Sequence, residues 1–340
     1  MEVPASPHGI AFVSELRRLD IDDRPFRRAV LRGDVVRIHR GAYVSAEEWS
    51  GLDRHERYRR HVIAAALASR SKPVLSHQSA AVLWGVPLIG EWPKAVHVLT
   101  TISAGTRTEN GFHRHASETL DDEIVESDGV RFTSFARTLI DLAKDTTFAS
   151  AVAGLDWSLR APSRGADPRV RIEALRQYVE LHPIARNRRK VQRALGFANP
   201  LAESPGESLS RVVIHELGFP APELQSRVDD ARGLIGISDF AWPELRLLGE
   251  FDGLVKYTRD LARAGESIED VVVREKVRED RMRATGRGMT RWLWSDALQV
   301  RPLYDKLLAA GLPSTHRGPV YYKRGRYIGP IEPDRPGLRA

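Results

Sequence analysis

The stretch ISDFAWPELRLLGEFDG, residues 237–253, constrains the fold more than any other part of the chain. Two extended runs flank Pro243-Glu244-Leu245, which predicts a β-hairpin folded near residue 244. Side chains alternate along a strand, so Glu250 and Asp252 take one face and Leu247, Gly249 and Phe251 the other. A fold at residue 244 sets Asp239 opposite Glu250. Strands avoid carboxylates, and like charges directly opposite one another destabilise a sheet. A cluster of this kind needs a neutralising partner. The expected one is a divalent cation, Mg2+ or Mn2+, held by Asp239 and Glu250, because hard cations prefer oxygen ligands. A one-residue slip of register would separate the two acids. The plainer alternative is a solvent-facing strand ending in an Asp252-Gly253 turn.

The surroundings extend this expectation. SPGESLSRVVIHELG reads as an amphipathic helix, LQSRVDD as a strand, and residues 268–285 as a long charged helix. MTRWLWS reads as a strand and DALQVRPLYDKLLAA as a final helix. The order over residues 204–313 is α-β-β-β-α-β-α. Glu207 can complete a metal shell. It also stands three residues after Ser204, with Pro205 between, which is a capping box; both readings stay open. Lys256 follows Asp252 by four residues, and its ammonium can orient a water or steady a phosphate. A cation on acids of this kind activates bound water against a phosphodiester. The candidate catalytic set is Glu207, Asp239, Glu250, Asp252 and Lys256.

The first half of the chain carries different signals. Pro25 opens a helix, FRRAVLRGD, that stops at Gly33, and a helix over residues 9–19 precedes it. VVRIHRGAYV then reads as a hairpin turning at Arg40-Gly41. Helix, helix and basic hairpin make the order of a winged helix-turn-helix, with Arg27, Arg28 and Arg32 on the second helix and Arg37, His39 and Arg40 on the wing. Such a helix fits a major groove, and wing cations reach phosphates. The alternative is a helical cap with solvated arginines. A helix over residues 54–69 closes this segment. Residues 73–160 read as a middle α/β domain: a helix capped by Ser76 and ended by Gly85, strands AVHVLT and GFHRHAS, and a helix in which Arg137 and Asp141 pair at i,i+4. His113 and His115 share one strand face. With no third ligand beside them in sequence, they read as solvated or DNA-facing. In RNRRKVQR, residues 186–193, the cations Arg186, Arg188, Arg189 and Lys190 make either a solvated helix face or a phosphate-contacting one.

Composition narrows the class. Among 340 residues there is no cysteine, which removes disulfides, thiolate zinc sites and cysteine nucleophiles and fits a reducing cytoplasm. No apolar run reaches the roughly 20 residues of a membrane span, and the first residues lack a signal-peptide pattern. The net charge of +7 favours polyanions, nucleic acid first. The expected organisation is a winged helix over residues 1–72, an α/β domain over 73–160, a basic helical linker over 161–203, the α-β-β-β-α-β unit over 204–313 and a loose basic tail over 314–340.

Two resemblances follow from these residues. SDFAWPELRLLGEFDGLVKY, within the α-β-β-β-α-β order and with Glu207 ahead of it, resembles the PD-(D/E)XK nuclease superfamily, in particular the branch related to very-short-patch-repair endonucleases. It implies a restriction-endonuclease-like fold and Mg2+-dependent DNA hydrolysis. Asp252 stands where the superfamily has its lysine, and Lys256 where the branch has a histidine. RRAVLRGDVVRIHRGAYV, LSHQSAAVLWGVP and GVRFTSFARTLIDLA resemble the AbiEi-type antitoxins of abortive-infection systems, which implies operator binding and autorepression, with a toxin as partner. The expected function is therefore that of a cytoplasmic DNA-binding protein with a nuclease domain, serving phage defence or DNA repair, and a homodimer is one expected state. The alternatives are an antitoxin-like repressor whose nuclease fold is a remnant, and a nuclease directed at RNA.

Overall fold

A computed structural model describes residues 8–18, 24–117, 121–163, 165–182, 184, 186–253, 268–315, 320–323 and 326–330. The chain is mixed α/β and divides into two compact units, Met1–Gly154 with Val170–Gly196 and Leu155–Arg169 with Phe197–Ala340. Among the described residues no helix is long and apolar enough to cross a membrane.

The first unit holds two sheets. Strands β1 (Ala11–Phe12), β2 (Val35–His39) and β3 (Ala42–Ser45) form a three-stranded sheet in the order β1-β3-β2. The helix expected over residues 9–19 is shorter. Ala11 and Phe12 pair with Tyr43 and Ala42 as a strand, and α1 covers Val13–Arg18. The reason is tertiary: Ile10, Ala11 and Phe12 are all buried, and a strand edge satisfies their backbone while burying adjacent side chains. Helix α2 (Arg24–Arg32) ends at Gly33, whose φ of +80° glycine adopts without penalty. Helices α3 (Ala46–Gly51) and α4 (Arg54–Ala68) follow, and Asp53 caps α4 by accepting from the Glu56 amide at 2.8 Å.

Six short strands make the second sheet: β4 (Val74–Leu75), β5 (Val96–Thr100), β6 (Arg107–Glu109), β7 (Phe112–Ala116), β8 (Ile124–Ser127) and β9 (Val130–Thr133), in the order β6-β7-β5-β4-β9-β8. Helices α5 (His77–Trp84), α6 (Phe135–Asp145), α7 (Phe148–Leu159), α8 (Ile172–Leu181) and α9 (Arg188–Phe197) accompany it in sequence. One apolar core joins the two sheets, running from Ile10, Phe12 and Val44 through Val62 and Ile63 to Leu75, Val98 and Phe132. A smaller cluster, Ala11 and Phe26 with Val13, Val35 and Tyr43, lies beside this core.

The second unit follows the expected order. Helix α10 (Pro205–Glu216) leads into β10 (Glu223–Asp230), β11 (Gly233–Trp242) and β12 (Leu247–Asp252), then α11 (Ile268–Ala284) and β13 (Gly288–Leu293). The sheet order is β10-β11-β12-β13; the first three strands are antiparallel, and β13 lies parallel to β12 after the α11 crossover. One sheet face buries Val228, Ala241, Leu248 and Met289 against Met282 of α11. On the other, Phe240 packs on Trp292 at 5.1 Å between ring centres, and the Trp292 indole donates to Ser210 of α10 at 2.8 Å. The expected final helix is broken in two, α12 (Trp294–Gln299) and α13 (Arg301–Ala309), because Val300 takes φ of +65° and Pro302 sits in the first turn of α13. In the stretch expected to be a loose tail, β14 (Val320–Lys323) pairs with β15 (Arg326–Pro330) as an antiparallel ladder.

Candidate functional site

The hairpin forms in the expected register. Phe240 pairs with Gly249, Ala241 with Leu248 and Trp242 with Leu247, so the same ladder brings Asp239 beside Glu250. The turn is a short 3-10 segment, Pro243–Leu245, closed by Arg246 in a left-handed conformation. Both acids are buried, at 9% and 6% relative exposure. Asp239 accepts the Phe251 amide through Oδ2 at 2.9 Å.

Helix α10 delivers Glu207 to this sheet. Gly206 makes the approach possible, since a Cβ there would stand 2.1 Å from the Phe251 ring of β12. Ser204 caps the helix by accepting from the Glu207 amide at 3.2 Å. In return, the Glu207 carboxylate accepts from the Ser204 hydroxyl and the Glu203 amide, both at 2.8 Å. It also accepts from Gln225 at 3.1 Å, and Gln225 lies in β10 between residues paired with Phe240 and Ser238, hence across from Asp239. The capping role of Glu207 is thus realised, and a side-chain bridge runs from it toward the hairpin.

Glu250 has a different set of partners. Arg278 of α11 donates to both of its oxygens, at 2.7 and 2.8 Å, and Arg291 of β13 donates to Oε2 at 2.6 Å. Glu275 binds both guanidiniums from the far side, which completes a quartet of two acids and two arginines. Burial pushes the Glu250 carboxyl above its usual range, and Arg278 and Arg291 pull against that shift. At Glu275 burial acts the same way, but hydrogen bonds from the two arginines outweigh it and hold the group low. Neither arginine was expected. Parallel pairing of Glu250 with Arg291 across β12 and β13 is the one pattern that could have pointed to it.

These contacts decide how well a hard cation fits. Glu250 already receives three hydrogen bonds from guanidiniums, and a dication beside two arginines meets strong repulsion. As placed, the hairpin does not fit a Mg2+ site. Asp252 ends β12, opposite Leu293. Lys256 lies outside the described residues.

The basic residues of the first unit stand mostly in water. Helix α2 buries Phe26 and Ala29 and exposes Arg27, Arg28 and Arg32; Arg37 and Arg40 are exposed on the hairpin, with His39 half-buried. Arg32 pairs with Asp34 at 2.7 Å. Arg186, Arg188, Arg189 and Lys190 are exposed at and before the start of α9.

The histidines differ from their expected setting. His113 and His115 have neighbours from distant sequence: His97 on β5, His77 at the start of α5 and Asp145 at the end of α6. His77 stacks on His115 at 3.5 Å between ring centres, His97 and His115 are hydrogen-bonded at 3.0 Å, and His77 bonds Asp145 at 3.0 Å. Ser76, expected to cap α5, makes no side-chain cap bond; its hydroxyl meets His77 Nδ1 at 3.0 Å. Burial holds His97 down to about 3 and His115 down to about 2, so both imidazoles are neutral. Among the described residues, His77, His115 and Asp145 make up a group whose possible ligand atoms all lie within 4.8 Å of one another.

No family model matches the chain. It is similar to two uncharacterized proteins of Mycobacterium tuberculosis, from strains CDC 1551 / Oshkosh and H37Rv. Each is 28% identical over 228 residues, which is 66% of this chain and 76% of the relative.

Proposed function

We propose that this chain is a DNA-binding regulator that grips duplex DNA through the first unit. The observation that carries this reading is the arrangement of α2: it buries Phe26 and Ala29 and leaves Arg27, Arg28 and Arg32 exposed together with Val30 and Leu31, and the β2–β3 hairpin after it exposes Arg37 and Arg40. A basic helix followed by a basic hairpin supports a winged-helix reading, in which one helix enters the major groove and a wing reaches the backbone. The Arg32–Asp34 pair is exposed on both sides and worth little, so a phosphate can replace the aspartate. The exposed cations from Arg186 to Lys190 add a second phosphate-contacting patch. On this reading the restriction-endonuclease-like second unit is a scaffold whose buried acids are neutralised by Arg278 and Arg291. The resemblance to AbiEi-type antitoxins makes the DNA upstream of the chain's own reading frame the first target to try, with a toxin partner and a homodimer as further elements of the same reading.

A second reading is a metal-dependent nuclease that cuts the DNA so held. The register that sets Asp239 beside Glu250, with Glu207 on the preceding helix, favours it. It requires Glu250 to leave its two arginines. One experiment separates the readings: labelled duplexes are incubated with the protein, with and without Mn2+ or Mg2+, and scored for both retention and cutting. Retention without cutting, lost on replacing Arg27 and Arg28 by alanine, is the expected result. Cutting that disappears in Asp239→Asn would establish the nuclease, and absence of retention would sink both readings.

A further inference from the structure

We propose that His77, His115 and Asp145 of the first unit form a binding site for a borderline divalent transition metal, with Zn2+ the representative ion. Two imidazole nitrogens and one carboxylate oxygen suit such ions and do not suit Mg2+, which favours all-oxygen shells. The three residues come from three elements: the first residue of α5, strand β7 and the last residue of α6. An ion bound there clamps these elements together.

The ligand atoms already lie close together, and rotation of one imidazole closes the site. The His77 Nε2 to Asp145 Oδ2 separation is 3.0 Å. Two ligands on one tetrahedral ion at roughly 2.1 Å each stand about 3.4 Å apart. The His77 and His115 rings stack at 11° to one another with their candidate ligand atoms and that of Asp145 within 4.8 Å, so one ring has to turn out of the stack for both nitrogens to face one ion. His77 is 1% exposed and His115 half-buried, whereas the Asp145 side chain keeps 33% of its surface in water, which gives an ion its way in.

Three further observations favour a ligand over a histidine cluster that merely fills space. His77 has φ of +49°, a left-handed conformation that costs free energy in a residue with a Cβ and persists where something over-determines it. The Ser76 hydroxyl forgoes the helix cap and holds His77 Nδ1, leaving Nε2 aimed at Asp145; this is how outer groups orient metal-binding histidines. Asp145 terminates α6, so the negative end of the helix dipole also favours a cation there. Behind the site, His97 holds His115 at 3.0 Å; Lys144, bonded to Asp141 and 3.6 Å from the Asp145 carboxylate, turns away from Asp145 as an ion enters.

The test uses the full chain, stripped with chelator. Zn2+ is titrated calorimetrically, and Co2+ absorption reports coordination by nitrogen and oxygen. Wild type is expected to bind one equivalent of Zn2+ that excess Mg2+ does not displace and that raises the thermal midpoint. Asp145→Asn and His115→Gln are each expected to lose that equivalent by at least 100-fold in affinity. Ser76→Ala is expected to weaken it by about tenfold, as outer-shell groups do. Asp145 is partly exposed, so its variant is the one expected to keep the fold, which circular dichroism checks. Equal Zn2+ binding by wild type and by folded Asp145→Asn, or no binding by wild type, would overturn the proposal.

Discussion

At the scale of single residues, the central fact is how the buried acids of the hairpin are neutralised. Glu250 has 7% of its side chain exposed, against 25% for Arg278 and 21% for Arg291. Glu250 is the most buried member of this set, and its removal leaves Arg278 with Glu275 alone and Arg291 with Glu275 and Glu279. Breaking a fully buried pair costs about 3–5 kcal/mol. The arginines here keep some water, so Glu250→Gln is expected to cost nearer 2 kcal/mol, read as a lower denaturation midpoint. Adding Arg291→Gln is expected to return part of that loss, and additive losses in this double-mutant cycle would show that the quartet is not a unit. Mg2+ is expected to leave the wild-type midpoint unchanged, because the arginines already do what a cation would do. A rise with Mg2+ that vanishes in Asp239→Asn would show the hairpin to be a metal site after all. The juxtaposition of Asp239 and Glu250 was legible from alternation and the Pro243 turn alone. Their neutralisation was not, since the guanidiniums arrive from 28 and 41 residues downstream and local spacing cannot report that.

At the scale of elements, helix and strand placement followed capping and periodicity wherever one element satisfied its own backbone. Helix α4 begins at its Asp53 cap, and α5 ends at Gly85 with φ of +73°. One misplacement came from a distant partner, Ala11–Phe12 joining a sheet; the other, the break of the last helix at Val300, is local and goes with Pro302. The contact between α10 and β12 is also set by a distant partner. Gly206 looks replaceable in sequence, and Gly→Ala inside a helix gains about 0.5–1 kcal/mol from backbone entropy. In the fold, a Cβ at 2.1 Å from the Phe251 ring must displace it, and such overpacking costs about 1–3 kcal/mol. The clash outweighs the propensity, so Gly206→Ala is expected to destabilise. Combining it with Phe251→Leu is expected to cost less than the sum of the two changes. A stabilised Gly206→Ala protein would mean that α10 does not sit this closely on the strand.

At the scale of the whole molecule, charge and the histidine cluster show what a one-dimensional reading sees and misses. The excess of 52 basic over 45 acidic side chains was visible at once and pointed to polyanions. His77, His97, His115 and Asp145 span 68 residues between the first and the last, so only the folded sheet and its helices bring them together. The basic excess makes a quantitative demand on the proposed function. Each phosphate contact releases condensed counterions, and the logarithm of affinity falls with the logarithm of salt by about 0.9 per contact on duplex DNA. Replacing both Arg27 and Arg28 by alanine is therefore expected to lower that slope by about 1.8 if both touch phosphate. A smaller fall, with loss of discrimination between sequences, is expected if either reads a base edge. Replacing Arg188, Arg189 and Lys190 together is expected to lower the slope by up to about 2.7 and to weaken all sequences alike, because a backbone patch carries no sequence information. The measurement is fluorescence anisotropy on one duplex over a range of salt, with wild type and the two variants side by side. A slope unchanged in both variants would mean that neither patch meets DNA, and the +7 charge would then need another polyanion to explain it.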